Sequence, residues 1–243
     1  MIPKIIHYCW LSGDPFPENV QSCIETWKKY LPDYEFKLWD LSCFDLESSR
    51  WVKEAYMFRK YAFAADYIRI YALYNYGGIY LDSDVEVVKS YNDLLHLPYF
   101  IGRERTKEEG EIAVEAATLG FEKGHPLLKA ILDYYEGRKF HLKGRKFDVR
   151  TLPCIMLMHI QKYYMWKKVN SVENFDYDNS IISLFPEDFF SPKTWWDHDL
   201  KVTSNTYSIH HFAGEWMKKK RWTDRVRVWR FRILGLFMDK YKI

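Results

Sequence analysis

The chain has 243 residues, 36 Lys and Arg against 33 Asp and Glu, and a formal net charge of +3. At 48% hydrophobic and 28% charged, with 11 Gly and 9 Pro, it carries the apolar mass of one ordinary domain, which excludes a disordered or collagen-like chain. Aromatic residues make up 19%, a surplus that suits the stacking of ring-shaped ligands and equally a core built from large side chains.

No stretch reaches the ~18 apolar residues of a membrane-spanning helix. Met1 is followed by IPKIIHYCW, without a basic or long apolar leader. A cytoplasmic protein is expected. Cys9, Cys23, Cys43 and Cys154 show neither a CxxC pair nor metal-ligand spacing with histidine, and reduced, mostly packed thiols are expected.

In chain order, Ile2 to Trp10 reads as a strand, followed by a proline-containing loop. Asn19 to Tyr30 has a helical stripe of Val20, Ile24, Trp27 and Tyr30, and Tyr34 to Leu38 alternates as a second strand. Strand, helix, strand opens an α/β unit. One long helix is expected from about Glu54 to Tyr76, ended by Gly77 and Gly78. A strand is then expected across Ile79-Tyr80-Leu81, Asp82-Ser83-Asp84 and Val85-Glu86-Val87. Phe100 to Gly102 reads as a strand, RERTKEEGE as a solvated loop, and Pro126 to Tyr135 as a helix. A basic loop, EGRKFHLKGRKFD, and a helix from about Pro153 to Tyr164 follow, with short strands at Ile181 to Leu184 and Tyr207 to His210.

On a strand Asp82 and Asp84 project to one face, roughly 7 Å apart, and can share a divalent cation. Ligands bind at the strand ends of an α/β sheet, which raises this pair above a solvated turn. Asp66 and Arg69, three apart on the preceding helix, form either an intrahelical ion pair or part of the same site.

The block FRKYAFAADYIRIYALYNYGGIYLDSDVEV, with the opening IPKIIHYCW and the late IHHFAGEW, resembles the bacterial branch of glycosyltransferase family 32. That family comprises capsular and surface-polysaccharide sugar transferases, with yeast relatives that are Golgi mannosyltransferases and a distant likeness to the clostridial glucosylating toxins. The resemblance implies an α/β domain of the GT-A type with a mixed central sheet over residues 1–216. It implies a retaining, metal-dependent transfer of a hexose from a nucleotide-diphosphate sugar, a UDP-sugar favoured, to a lipid-linked polysaccharide precursor. Asp82 and Asp84 would hold Mn²⁺ or Mg²⁺ against the diphosphate, Asp66 would bind the donor sugar's hydroxyls and Arg69 would steady the sugar or diphosphate. Tyr80 and Ser83 would line the donor pocket, and His7 and Trp10 would lie near the base, with core packing as the alternative for both.

In IHHFAGEW the resemblance favours His211 over His210 as a third metal contact and places Trp216 over the donor. Glu215 stands where serine is expected. Thr151-Leu152-Pro153 resembles the turn before an acceptor-side helix, with Leu152 in place of a small residue. Two other readings stand beside the transferase. A phosphohydrolase using Asp82 is weakened by Glu86, which occupies the place of the usual Thr or Val. A noncatalytic carbohydrate-binding module gives no reason for Asp66 and Arg69 beside a metal pair.

Residues 217–243 carry ten basic residues against two acidic ones, a net +8, which leaves 26 basic and 31 acidic residues, or −5, in the first 216. Trp222, Val226, Trp229, Ile233 and Phe237 form one apolar stripe among the arginines. A basic amphipathic helix is expected there, lying either on an anionic membrane at the inner face of the cytoplasmic membrane or docked on the domain. No recognised module supports nucleic-acid binding, and the oligomeric state is left open.

Overall fold

The computed structural model describes residues 1–108, 111–144 and 146–213. The elements are β1 (Ile5–Cys9), α1 (Glu18–Tyr30), β2 (Glu35–Trp39), α2 (Arg50–Met57), α3 (Tyr61–Tyr76), β3 (Gly78–Leu81), β4 (Val85–Val87), β5 (Tyr99–Glu104) and β6 (Ala113–Phe121). They continue with α4 (Pro126–Tyr135), β7 (His141–Lys143), β8 (Lys146–Phe147), α5 (Leu152–Tyr163), β9 (Met165–Lys168), β10 (Ile181–Leu184), α6 (Glu187–Phe190) and β11 (Ser208–His210).

The main sheet has the order β2-β1-β3-β6-β5. β1 pairs in parallel with β2 and β3, and β6 runs antiparallel to β3 and β5. The expected α/β class and mixed central sheet are therefore borne out. β1, β3 and β5 end at one edge of the sheet, and there the chain gathers its charged groups. β3 and β6 are buried along nearly their whole length, as central strands covered on both faces are. The run AVEAATLGF in β6 shows no alternation, which is why periodicity gave no strand there.

Two sequence expectations are corrected. The helix expected from Glu54 to Tyr76 is two helices, because Arg59 sits at φ 56°, a left-handed conformation that interrupts the hydrogen-bond ladder. The strand expected from Ile79 to Val87 is also two: β3 stays in the main sheet, while β4 leaves it to pair antiparallel with β11. Asp82-Ser83-Asp84 is the turn between them, closed by the Val85 amide donating to the Asp82 carbonyl at 3.0 Å.

α3 reaches β3 through Gly77 (φ 68°) and Gly78 (φ 105°), where a Cβ on Gly78 would stand 2.6 Å from the Ile5 carbonyl oxygen. Only glycine fits that approach. α3 therefore runs back along β3, and its N-terminal half stands over the sheet edge where β3 ends. Most of the aromatic surplus is core. Tyr91, Phe100, Phe190 and Tyr207 stack or tilt at ring separations of 5.2 to 6.5 Å, and Trp27, Trp39 and Trp51 are fully enclosed. The Trp27 indole also donates to the Val85 carbonyl at 2.7 Å, tying α1 to the strand that carries the turn.

Candidate active site

The turn is held at both ends. The Asp82 amide donates to the Ala117 carbonyl of β6 at 2.8 Å. The Asp84 carbonyl accepts from the His211 amide at 3.1 Å, and its carboxylate accepts from the Ala213 amide at 2.8 Å. Phe212, at φ 52°, folds the 211–213 segment over Asp84 in a conformation costly for a bulky residue.

Arg69 is the centre of the buried part. Its side chain is 6% exposed, and one guanidinium nitrogen lies 3.1 Å from Asp66 and 3.0 Å from Asp82. The other donates to the Ala116 carbonyl at 2.5 Å. The Tyr80 ring lies under the guanidinium at 4.5 Å, and its hydroxyl donates to Asp82 at 3.0 Å. The second oxygen of Asp66 accepts from the Leu152 amide, at the first turn of α5, at 3.2 Å. Burial pushes Asp66 up to about 6 despite Arg69, with Asp82 adding to the rise. Burial likewise raises Asp82 above the ordinary carboxylate range, against the opposing pull of Arg69 and His210. Desolvation outweighs pairing at both positions.

The third group is His210. One oxygen each from Asp82 and Asp84 and one ring nitrogen of His210 lie within 4.8 Å of one another. Nε2 of His210 is 3.6 Å from Asp84, and Nδ1 is 3.7 Å from Glu115 on β6. Glu115 is 2% exposed and lies buried in an otherwise apolar strand. Burial opposes the charge on His210, but Glu115, Asp84 and Asp82 outweigh it and push the ring up to about 9. Glu104, at the end of β5, is raised by burial and by Glu115. The edge thus gathers Asp66, Asp82, Asp84, Glu104 and Glu115 against Arg69 and His210.

Two carboxylates and an imidazole form a donor set for a hard divalent cation such as Mn²⁺ or Mg²⁺. The Glu115 carboxylate beside Nδ1 is the outer partner that aims Nε2 of a ligating histidine. The excess of negative charge gives a physical reason for such an ion: an anionic ligand meets repulsion here unless a cation intervenes.

The sequence expectations fare unequally. Asp66, Arg69, Tyr80, Asp82 and Asp84 come together, though Asp82 and Asp84 do so across a turn rather than along one strand face. His210 joins them. His211, the residue favoured from sequence, instead meets Glu86 at 2.9 Å and Lys193 at 3.5 Å, since it lies one residue past the end of β11 and turns away from His210. His7 does not reach the site. It is 0% exposed, accepts at Nδ1 from the Trp39 indole at 3.1 Å, and donates from Nε2 to the Gly77 carbonyl at 2.8 Å. Burial lowers it to about 4, a neutral core histidine. Trp10 stands at the end of β1, half-buried against Phe16 at 5.1 Å, with its indole donating to the Asp14 carbonyl. Ser83 is half-buried in the turn. Trp216, Glu215 and the 217–243 helix lie outside the described residues. All four cysteines are free, and among the described residues no helix is long and apolar enough to cross a membrane.

Sequence reasoning missed Glu115, Glu104 and the Leu152 amide. The only signal for Glu115 is a lone acid inside an apolar run. Leu152 contributes its backbone N–H, while its side chain is buried.

Residues 17–101 match the family described as a glycosyltransferase sugar-binding region containing a DXD motif. The chain is 29% identical over 229 residues to "Inositol phosphoceramide mannosyltransferase 3" of Schizosaccharomyces pombe, covering 87% of this chain and 60% of that protein. It is 32% identical over 224 residues to "Inositol phosphoceramide mannosyltransferase 2" of the same yeast, covering 83% and 60%. The chain thus spans about 60% of the length of these curated relatives. Among solved structures it is similar to "PaToxG Glycosyltransferase", with 23% identity, 65% and 69% of the two chains covered and a TM-score of 0.49.

Proposed function

We propose that this chain transfers a hexose from a nucleotide-diphosphate sugar to a hydroxyl of a lipid-carried acceptor, with Mn²⁺ or Mg²⁺ held by Asp82, Asp84 and His210. The observation that carries this reading is the convergence of those three groups within 4.8 Å at the sheet edge where Arg69 bridges Asp66 and Asp82. The match over residues 17–101 and the two yeast relatives support it.

When bound, the cation supplies positive charge to a departing diphosphate. The chain's own residues do the rest. Arg69 is preorganised by three oxygen partners, so no reorganisation is needed as charge develops beside it. Asp66 is fixed by Arg69 and the Leu152 amide and presents a carboxylate to sugar hydroxyls. Tyr80 holds Asp82 from below and is otherwise buried, so it shapes the donor pocket by supporting Asp82. Trp10 offers an aromatic face at the end of β1 for the base. Glu115 keeps the His210 ring turned toward Asp84.

We read the transfer as retaining. The leaving phosphate takes the acceptor proton on the same face of the sugar, since both oxygens of Asp82 are engaged by Arg69 and Tyr80. The same engagement counts against a phosphohydrolase with Asp82 as nucleophile. The sequence resemblance favours a UDP-hexose, while the relatives' names favour a nucleotide-linked mannose. The acceptor is a lipid-linked polysaccharide precursor by the first and a phosphoinositol sphingolipid by the second, and a lipid carrier is common to both. We place the enzyme at the inner face of the cytoplasmic membrane, with residues 217–243 as one point of attachment.

The test is a panel of nucleotide-sugars with Mn²⁺, read by donor hydrolysis and by protection from thermal melting. Response to one donor, removed by EDTA and by Asp84→Ala, is expected. A parent protein unmoved by every donor sinks the proposal.

A further inference from the structure

The basic segment between α4 and α5 has no part in the chemistry above. It folds as the β7–β8 hairpin and its flanks, between the link that precedes α3 and the first turn of α5. Phe58, in the link between α2 and α3, meets His141 at 4.7 Å and Phe147 at 5.0 Å. The His141 amide donates to Glu54 at 2.9 Å, and Phe140 stacks on Phe147 at 5.3 Å inside the core. Four residues beyond Asp148, the chain reaches the Leu152 amide that holds Asp66. The hairpin is therefore anchored to Glu54 and Phe58, just before the N-terminal half of α3 that carries Asp66.

Its outward side has an unusual composition. Lys139, Lys143, Lys146 and Arg150 are exposed, and none has a carboxylate partner among the described residues. Among the described residues the segment's ion pair is Arg138 with Asp148, at 3.3 Å. Interleaved with these cations are two exposed apolar side chains, Leu142 at 56% and Val149 at 61%. Cations without carboxylate partners, of which Arg150 also donates to the Tyr134 hydroxyl at 2.8 Å, stand around protruding apolar groups and match the headgroup layer of an anionic bilayer, where the cations meet lipid phosphate and the apolar groups enter the acyl boundary. A polyanion such as RNA would match the charge and leave Leu142 and Val149 without a role.

We infer that the face formed by Lys139, Leu142, Lys143, Lys146, Val149 and Arg150 docks on an anionic lipid surface and brings the rim that carries Asp66 and Asp82 against it. This deepens, and rests on, the reading that the acceptor is lipid-carried. It is an attachment separate from residues 217–243.

The experiment uses the full chain and its double variant Lys143→Glu/Lys146→Glu, sedimented with phosphatidylglycerol vesicles and with phosphatidylcholine vesicles in 0.1 M salt without donor. Removing each basic residue from an anionic surface costs about fivefold in partitioning. The double variant is expected to bind phosphatidylglycerol vesicles at least ~25-fold more weakly, Leu142→Ser about threefold more weakly, and phosphatidylcholine is expected to bind poorly throughout. The variants keep the parent melting temperature, since these side chains are exposed. Equal sedimentation of parent and double variant overturns the inference, as does loss of RNA binding with vesicle binding intact. Donor hydrolysis with Mn²⁺, measured on the same proteins without vesicles, reports the transferase reading alone. A variant that hydrolyses donor normally yet has lost the vesicles separates the two.

Discussion

His7 is buried and His210 partly buried, both close to the same sheet, and their surroundings drive them in opposite directions. Around His7 are Trp39, Gly77 and the core, and burial lowers the ring to about 4. Around His210 are Glu115, Asp84 and Asp82, which overcome the opposing effect of desolvation and raise it to about 9. Burial therefore does not by itself set the charge of a histidine. Carboxylates facing both its nitrogens do, and on the reading proposed above a cation shared by the same carboxylates would take the place of the ring's proton.

The largest expected effect lies on the carboxylate side. Asp84→Ala removes one of the three converging side chains proposed to hold the cation and the acceptor of the Ala213 amide, so donor hydrolysis and transfer should fall by about 10³-fold, several kcal/mol of charge stabilisation. Circular dichroism should remain that of the parent. Retention of even a tenth of the activity at saturating Mn²⁺ would move the metal elsewhere.

His7 belongs to stability, and its sign is fixed by its lowered value. An unfolded histidine takes up a proton near 6.5 while the folded one resists until about 4, so its contribution is full above 6.5 and is lost as pH falls through 4. The loss is on the order of 3 kcal/mol at its limit. His125, also lowered to about 4 by burial, acts in the same window. Urea unfolding at pH 7.5 and pH 4.5 should show the drop, and His7→Gln should be weaker at pH 7.5 but lose less on acidification. A parallel acid limb in the two proteins would contradict a neutral buried His7.

Glu115 sharpens the comparison from the other side. Glu115→Gln keeps the shape and removes the charge behind Nδ1 of His210, and outer partners of this kind carry about 10-fold to 100-fold of metal affinity. Titrating Mn²⁺ into the protein, read by the melting temperature, should give a weaker constant with the maximal rate largely recovered at high metal. A lowered maximal rate with unchanged metal affinity would give Glu115 a different role.

What was legible in the sequence followed local pattern. Helical stripes, the Gly77-Gly78 stop and the acidic pair after an apolar strand each state their own physical reason within a few residues. What escaped depended on pairings across the chain. Nothing near Asp84 says that β4 leaves the main sheet to pair with β11, yet that crossing turns the D-x-D pair into a loop and sets His210 against it. Glu115 is invisible to periodicity, because β6 is covered on both faces and reads as one apolar run. The left-handed Arg59 hides inside an otherwise helical stripe.

The smallest expected effect tests the choice between adjacent histidines. In β11 side chains alternate, and its pairing with β4 sets His210 opposite Val85 and Ile209 opposite Glu86. His211, one residue beyond the strand, swings to Glu86 and Lys193, both partly exposed groups. A hydrogen bond in that setting contributes about 1 kcal/mol. His211→Ala should therefore change Mn²⁺ affinity and donor hydrolysis by less than about threefold, whereas His210→Ala should weaken metal binding by more than about tenfold. Equal losses in the two variants would mean that the 211–213 segment moves when the cation binds, and that the turn over Asp84, rather than one imidazole, sets the metal's affinity.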